Sequence, residues 1–220
     1  VKDNLERFET LFEKRISQSS DGLDPAHDVA HFRRVVATAK ALTPLEGADP
    51  RIVIPAAWLH DLVNVPKNDP RRSQASRLSS QAAKEFLHEI GYATSFEDRA
   101  IDLDQIGHAI EAHSYSAAIE PTTIEARIVQ DSDRLDGLGA IGIARVFAVA
   151  GLMGRSLYHE LDPFAESREP DDLKFTVDHF YVKLFKTVDT LRTEAGRQEG
   201  KRRAQVMRDY LGHLRREIGE

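Results

Sequence analysis

The sequence predicts an all-α fold, a single compact helical bundle. Three observations predict it. Apolar residues recur at helical spacing along nearly the whole chain, and no segment alternates apolar and polar residues as a half-buried strand would. Helix start and stop signals also punctuate the chain at helix-length intervals. The count is roughly seven to nine helices, within one domain over residues 1–220.

Asn4–Ile16 places Leu5, Phe8, Leu11, Phe12 and Ile16 on one stripe. Asp24-Pro25 reads as an N-cap followed by proline at the first helical position, and opens a helix to Leu42 with Val29, Phe32, Val36 and Ala39 inward. Asp49-Pro50 repeats the signal before an apolar helix, Ile52–Val63, that holds the single Trp58. Val65–Arg72 (VPKNDPRR) is a loop, because its prolines cannot continue a helix. Ser73–Ile90 is amphipathic and stops at Gly91, and Phe96–His113 follows. After Pro121 a long helix starts near Thr123; Gly137, Gly139 and Gly142 require it to bend or to admit a close neighbour. Gly151–Asp172, rich in acids with Gly and Pro, reads as an excursion or lid loop. Leu173–Leu191 and Arg197–Ile218 close the chain as amphipathic helices.

Composition excludes several function classes. Thirty Lys+Arg against 36 Asp+Glu leave a net charge of −6, which argues against a generic nucleic-acid surface, although a local basic patch could still hold a phosphate. Without cysteine there is no disulfide, thiolate nucleophile or zinc–thiolate site. The most apolar stretch, Ala140–Gly154, is too short to span a membrane and carries Arg145 in its middle. No secretory leader pattern opens the sequence. The expectation is a soluble cytoplasmic protein. The closing helices could pack internally or against a second subunit, so a homodimer stays open.

Nine His and 19 Asp among 220 residues give about one His-Asp pair by chance, so His27-Asp28 and His60-Asp61 mean little as dipeptides. Context raises the second. Ala56, Ala57 and Leu59 make the preceding helix apolar, and a His and an Asp delivered to its end must be paired, hydrogen-bonded or bound to a metal. A plain helix-end pair is the alternative. His31 lies inside an apolar helix, with His27 one turn earlier on the same face. Asp131, Asp133 and Asp136 interrupt the stripe of Ile128, Leu135 and Leu138, where an acid is costly unless partnered or solvent-facing.

His31, then His60-Asp61, then Asp133, each on a separate helix, resembles the HD superfamily of metal-dependent phosphohydrolases, and more closely its small stand-alone bacterial members. The matching segments are HDVAHFRRV, AAWLHDLVNVPKNDPRRSQAS, AIEAHSYS, VQDSDRLDGLGAIGIARVF and DHFYVKLFK, spanning residues 27 to 186. The resemblance implies a metal-binding core over residues 24–150 and closing helices over 173–218. It makes His31, His60, Asp61 and Asp133 the metal ligands, with Asp131 as the second choice or an acid supporting a ligating His. One divalent ion (Mn, Mg, Ni, Co, Fe or Zn) is implied, since such ligands accept all of these. A second ion would need His88, His108 or His113.

On that resemblance the chain is a phosphohydrolase acting on a small phosphorylated substrate, a nucleotide, with pyrophosphate cleavage of a nucleoside triphosphate as one form. A metal-activated water attacks phosphorus while cations neutralise the other phosphoryl oxygens. Asn64, Lys67, Arg72 and Arg134 are the phosphate-facing candidates, and His27 could orient a ligand or a phosphate. His113 is the candidate general acid, with His108 the weaker choice. His159, His179 and His213 read as structural. Two other readings stand beside this one: an HD-fold iron oxygenase, which resembles di-iron sites with more His ligands than are present, and a non-catalytic metal-binding module.

Overall fold

The computed structural model describes residues 2–19, 29–65 and 69–219. Among them are nine α-helices and no β-strand, as the periodicity predicts: α1 (Lys2–Ser19), α2 (Val29–Leu45), α3 (Pro50–Leu59), α4 (Ala75–Glu89), α5 (Leu103–His113), α6 (Ile124–Asp136), α7 (Gly139–Leu152), α8 (Phe185–Val188) and α9 (Glu194–Glu217). The chain forms two compact units, Val1–Asp133 and Arg134–Glu220. No single described helix is long and apolar enough to cross a membrane.

In the first unit α3 is the central element. Every residue from Ile52 to His60 is buried, and α1, α2 and α5 pack on it. Asp49 caps it as the sequence predicts, accepting from the Arg51 backbone N–H at 2.9 Å, with Pro50 at the first position. Tyr92 is fully buried, makes an edge contact with Phe8 and donates its hydroxyl to the Arg51 carbonyl. Trp58 donates its indole N–H to Glu9 of α1. These ties fix both ends of α3, so its C-terminus is a rigid place for a functional side chain.

Two predicted boundaries move. The apolar helix ends at Leu59 and not at Val63, leaving His60 as its C-cap residue. α5 begins at Leu103, not Phe96, because Asp102 caps it by accepting from the Asp104 N–H; a short 3₁₀ turn, Tyr92–Thr94, follows Gly91. The Asp24-Pro25 start signal lies outside the described residues.

The second unit packs α7 and α8 on α9. Gly139, at φ +69°, starts α7 directly after the break that the three glycines predict. A Cβ on Gly142 would lie 2.2 Å from the Gly137 carbonyl oxygen, so the chain can turn back on itself there only with glycine at position 142. The predicted closing helix Leu173–Leu191 is shorter. Residues 153–177 form an irregular excursion in which the Thr176 N–H donates to the Ser156 carbonyl and the Ser156 N–H to the Lys174 carbonyl; a π-type turn, Phe180–Leu184, then runs into α8. Buried Asp178 accepts from Arg168 and from the Asp171 N–H, a partnered charge that pins the excursion.

Candidate metal centre

Four helices of the first unit meet at one cluster. His31 comes from the first turn of α2, His60 and Asp61 from the end of α3, His113 from the last position of α5, and Asp133 from α6. The imidazoles are buried, at 2% exposure for His31, 0% for His60 and 5% for His113. The carboxylates stand nearer solvent, at 28% for Asp61 and 31% for Asp133. The rings therefore form a wall and the acids a mouth.

The ring tautomers follow from the helix ends. The last carbonyls of a helix have no intrahelical donor. His60 Nδ1 lies 2.8 Å from the Ala57 carbonyl and His113 Nδ1 2.6 Å from the Ile110 carbonyl, each three residues back on its own helix. A carbonyl only accepts, so Nδ1 carries the proton in both rings, and Nε2 is the free position of the neutral imidazole. This is the arrangement in which a backbone carbonyl orients a metal-ligating His.

The Nε2 atoms converge. His31 Nε2 lies 3.3 Å from His60 Nε2, and Asp133 Oδ1 lies 3.6 Å from the first and 3.9 Å from the second. On the other side of His60, Asp61 Oδ2 is 4.0 Å from His60 Nε2, and Asp61 Oδ1 is 3.4 Å from His113 Nε2. Among the described residues these make two groups able to hold a metal ion, His31/His60/Asp133 and His60/Asp61/His113, which share His60. Imidazole nitrogens that share a cation at ~2.1 Å stand about 3 Å apart, so the spacing suits a divalent ion. Neutral nitrogens with carboxylate oxygens are also the donor set that such an ion accepts.

Burial and charge split the two rings. Burial pushes the His60 imidazole down to about 4, although Asp61 and Asp133 pull it the other way. Burial also opposes a charge on His113, but there the hydrogen bond and negative charge of Asp61 outweigh it and lift the ring to about 9. One ring is thus a lone-pair donor at neutral pH and the other holds a proton.

Asp131 is fully buried and belongs to neither group. Two residues apart on a helix, Asp131 and Asp133 point to nearly opposite faces, a signal that the spacing already carried. His108 Nε2 accepts from the Thr122 N–H, and His88 is exposed on α4. Asn64 is exposed on the loop after Asp61. Arg72, just before α4, donates through Nη1 to the Val65 carbonyl, and Ser79 Oγ of α4 accepts from the Val63 N–H, so Val63 and Val65 are both tied down. Arg134, in the second unit, donates through Nη1 to the Thr190 carbonyl. His27 and Lys67 lie outside the described residues. His159 Nδ1 accepts from the Leu161 and Asp162 N–H groups, His179 pairs with Asp172 at 2.8 Å, and His213 Nδ1 meets Arg216. Gln130, which no sequence signal marks, is buried and donates to the Ala112 carbonyl.

The HD domain family matches residues 29–138. The uncharacterized protein YpgQ of Bacillus subtilis (strain 168) is 32% identical over 217 residues, 97% of this chain and 93% of that protein. The crystal structure of Bacillus subtilis YpgQ in complex with ADP superposes with a TM-score of 0.70 at 30% identity, covering 96% of this chain and 97% of that one. An HD-superfamily hydrolase from Bacillus thuringiensis superposes with a TM-score of 0.69 at 29% identity, covering 96% and 99%.

Proposed function

The chain belongs to the HD domain family, a family of metal-dependent phosphohydrolases, and from that premise we propose that it hydrolyses a nucleotide with one divalent cation held by His31, His60, Asp61 and Asp133. The observation that carries the reading is the convergence of three buried Nε2 atoms on two part-exposed carboxylates. That YpgQ is seen in complex with ADP supports a nucleotide over other phosphorylated molecules. Cleavage of a nucleoside triphosphate to the monophosphate and pyrophosphate is the form we favour. A cytoplasmic location follows from such a substrate.

A bound divalent ion supplies Lewis-acid polarisation of a phosphoryl oxygen and a water of lowered pKa. The protein's own groups do the rest. His31 and His60 present lone pairs from a wall that excludes solvent, and Asp133 and Asp61 supply the negative charge at the mouth. His113 holds a proton at Nε2 beside Asp61 Oδ1 and is placed to hand it to the leaving oxygen as the phosphorus–oxygen bond breaks. Asp61 orients that ring. From the loop after Asp61, Asn64 and Lys67 are the proposed phosphate contacts; Arg72 ties down Val65.

The test is hydrolysis by metal-stripped protein reloaded with Mn, Mg, Ni or Co, with nucleoside mono-, di- and triphosphates, a cyclic diester and an aryl phosphate as substrates. The expected result is metal-dependent release of pyrophosphate from a triphosphate, absent in Asp61→Ala. Stoichiometric metal binding without turnover of any substrate would contradict the reading. It would point instead to an oxygenase, identified by a mixed-valence iron spectrum, or to a silent module.

A further inference from the structure

Gln130 lies one helical turn before Asp133 on α6 and is 3% exposed. Its Nε2 donates to the Ala112 carbonyl at 2.6 Å. Because that carbonyl only accepts, the amide orientation is fixed, and Oε1 is left buried with no hydrogen-bond partner. A buried amide oxygen in that condition weakens a fold, and an apolar side chain of the same length would fill the space without it. The amide is therefore explained by its donor, which meets the Ala112 carbonyl as no methionine could.

Ala112 is the residue before His113, in the last turn of α5, where carbonyls lack intrahelical donors. Two side chains serve that turn: His113 itself, through Nδ1 to Ile110, and Gln130, reaching across from α6 to Ala112. The helix that carries His113 is thereby tied to the helix that carries Asp133.

We propose that Gln130 is a positioning residue for His113: it holds the end of α5 against α6, so that His113 Nε2 stays beside the Asp61 carboxylate. The inference rests on the reading of His113 as part of the proposed site, where its Nε2 lies 3.4 Å from Asp61 Oδ1, and it deepens that reading by naming what sets the ring's place.

Two measurements on the full-length protein test it. The first is the crystal structure of metal-free Gln130→Met. The expected result is His113 Nε2 drawn away from Asp61 Oδ1, beyond the 3.4 Å of the unaltered chain; an unmoved ring overturns the proposal. The second is a kinetic cycle on the Mn-loaded enzyme with adenosine triphosphate as probe. Residues that act as a unit are non-additive, so Gln130→Met alone lowers kcat about tenfold with KM changed less than about twofold, and costs under about twofold in a His113→Gln background. A full tenfold loss in that background overturns the proposal, because a merely structural defect would persist there. If His113→Gln alone leaves kcat intact, it is the proton-donor reading that fails, and the crystallographic comparison still decides what Gln130 does to the ring. Should Gln130→Met not fold, Gln130→Asn, whose donor falls one methylene short, is read in the same two ways.

Discussion

His31 and His60, 29 residues apart on different helices, bring their Nε2 atoms to within 3.3 Å of each other in the protein interior. His60 Nε2 is a lone pair, because its Nδ1–H is given to the Ala57 carbonyl. A second ring nitrogen so close either donates a proton to it or shares a cation with it. The Asp133 carboxylate, within 4 Å of both, favours the cation.

Metal loading is therefore expected to stabilise the fold. A ligand at a hundred times its dissociation constant adds about 2.7 kcal/mol, which for a chain of this size raises Tm by roughly 5–10 °C. Differential scanning calorimetry of stripped and Mn-loaded protein checks it. His31→Ala and Asp133→Asn should each lose the increment, and an unchanged rise in both would contradict the assignment.

Stability of the metal-free protein should be greatest near neutral pH. His60 has a folded value of about 4 against about 6.5 unfolded. Below that unfolded value the unfolded chain takes up a proton that the folded one refuses, so stability falls with pH toward 4. His113 is raised to about 9; its contribution is complete below about 6.5 and is lost as pH rises through 9. Each limb has a slope of up to about 1.4 kcal/mol per pH unit. Urea midpoints measured across this range give the curve. His113→Gln should flatten the alkaline limb, and an alkaline limb that survives it would show that the wrong group had been identified.

Two glycines of α7 should respond oppositely to alanine. At Gly142 the new Cβ meets the Gly137 carbonyl oxygen at 2.2 Å, a backbone atom that cannot swing aside, whereas at Gly151 nothing lies within 4 Å. Gly142→Ala should destabilise by about 2 kcal/mol or more, in the range of overpacking. Gly151→Ala should gain about 0.5–1 kcal/mol from reduced backbone freedom. Chemical denaturation of both variants decides, and equal effects would contradict the tight turn at Gly137.

Asp49 gathers Arg51 and Arg99 at the start of α3. Burial works against its charge, but the hydrogen bonds from both arginines outweigh this and hold its carboxyl below the usual carboxylate value. Asp49→Ala should cost about 2 kcal/mol, the upper end for a lost cap, because it also leaves Arg51 short of a partner. Metal affinity should be unaffected, since His60 is fixed at the far end of the helix. A loss of metal binding equal to that of Asp133→Asn would show that α3 is less rigid than its packing implies.

Much of this was legible in the sequence. Helical period, the Asp49-Pro50 cap and the trio Gly137, Gly139 and Gly142 each marked a feature that the structure contains, because local propensity and tertiary packing agree there. Boundaries set by a single side chain were not. Asp102 takes the cap of α5 from the apolar pattern that began at Phe96, and the excursion before Phe180 has hydrophobic residues at helical spacing without being helical. His31, His60, Asp61, Asp133 and His113 were all named from sequence, and the fold brings them together. The choice between Asp131 and Asp133 could have been argued from helix geometry alone. Gln130 could not, since a glutamine in a helix gives no sign of whether its amide meets solvent or a carbonyl 18 residues away.

The most direct test is a titration of metal-free protein with Mn2+ followed by electron paramagnetic resonance, comparing the unaltered chain with Asp133→Asn and Asp131→Asn. The account predicts one ion per chain, binding weakened about 100-fold or more by Asp133→Asn, and binding kept by Asp131→Asn. Two ions per chain, or binding that survives Asp133→Asn and is lost with Asp131→Asn, would contradict it.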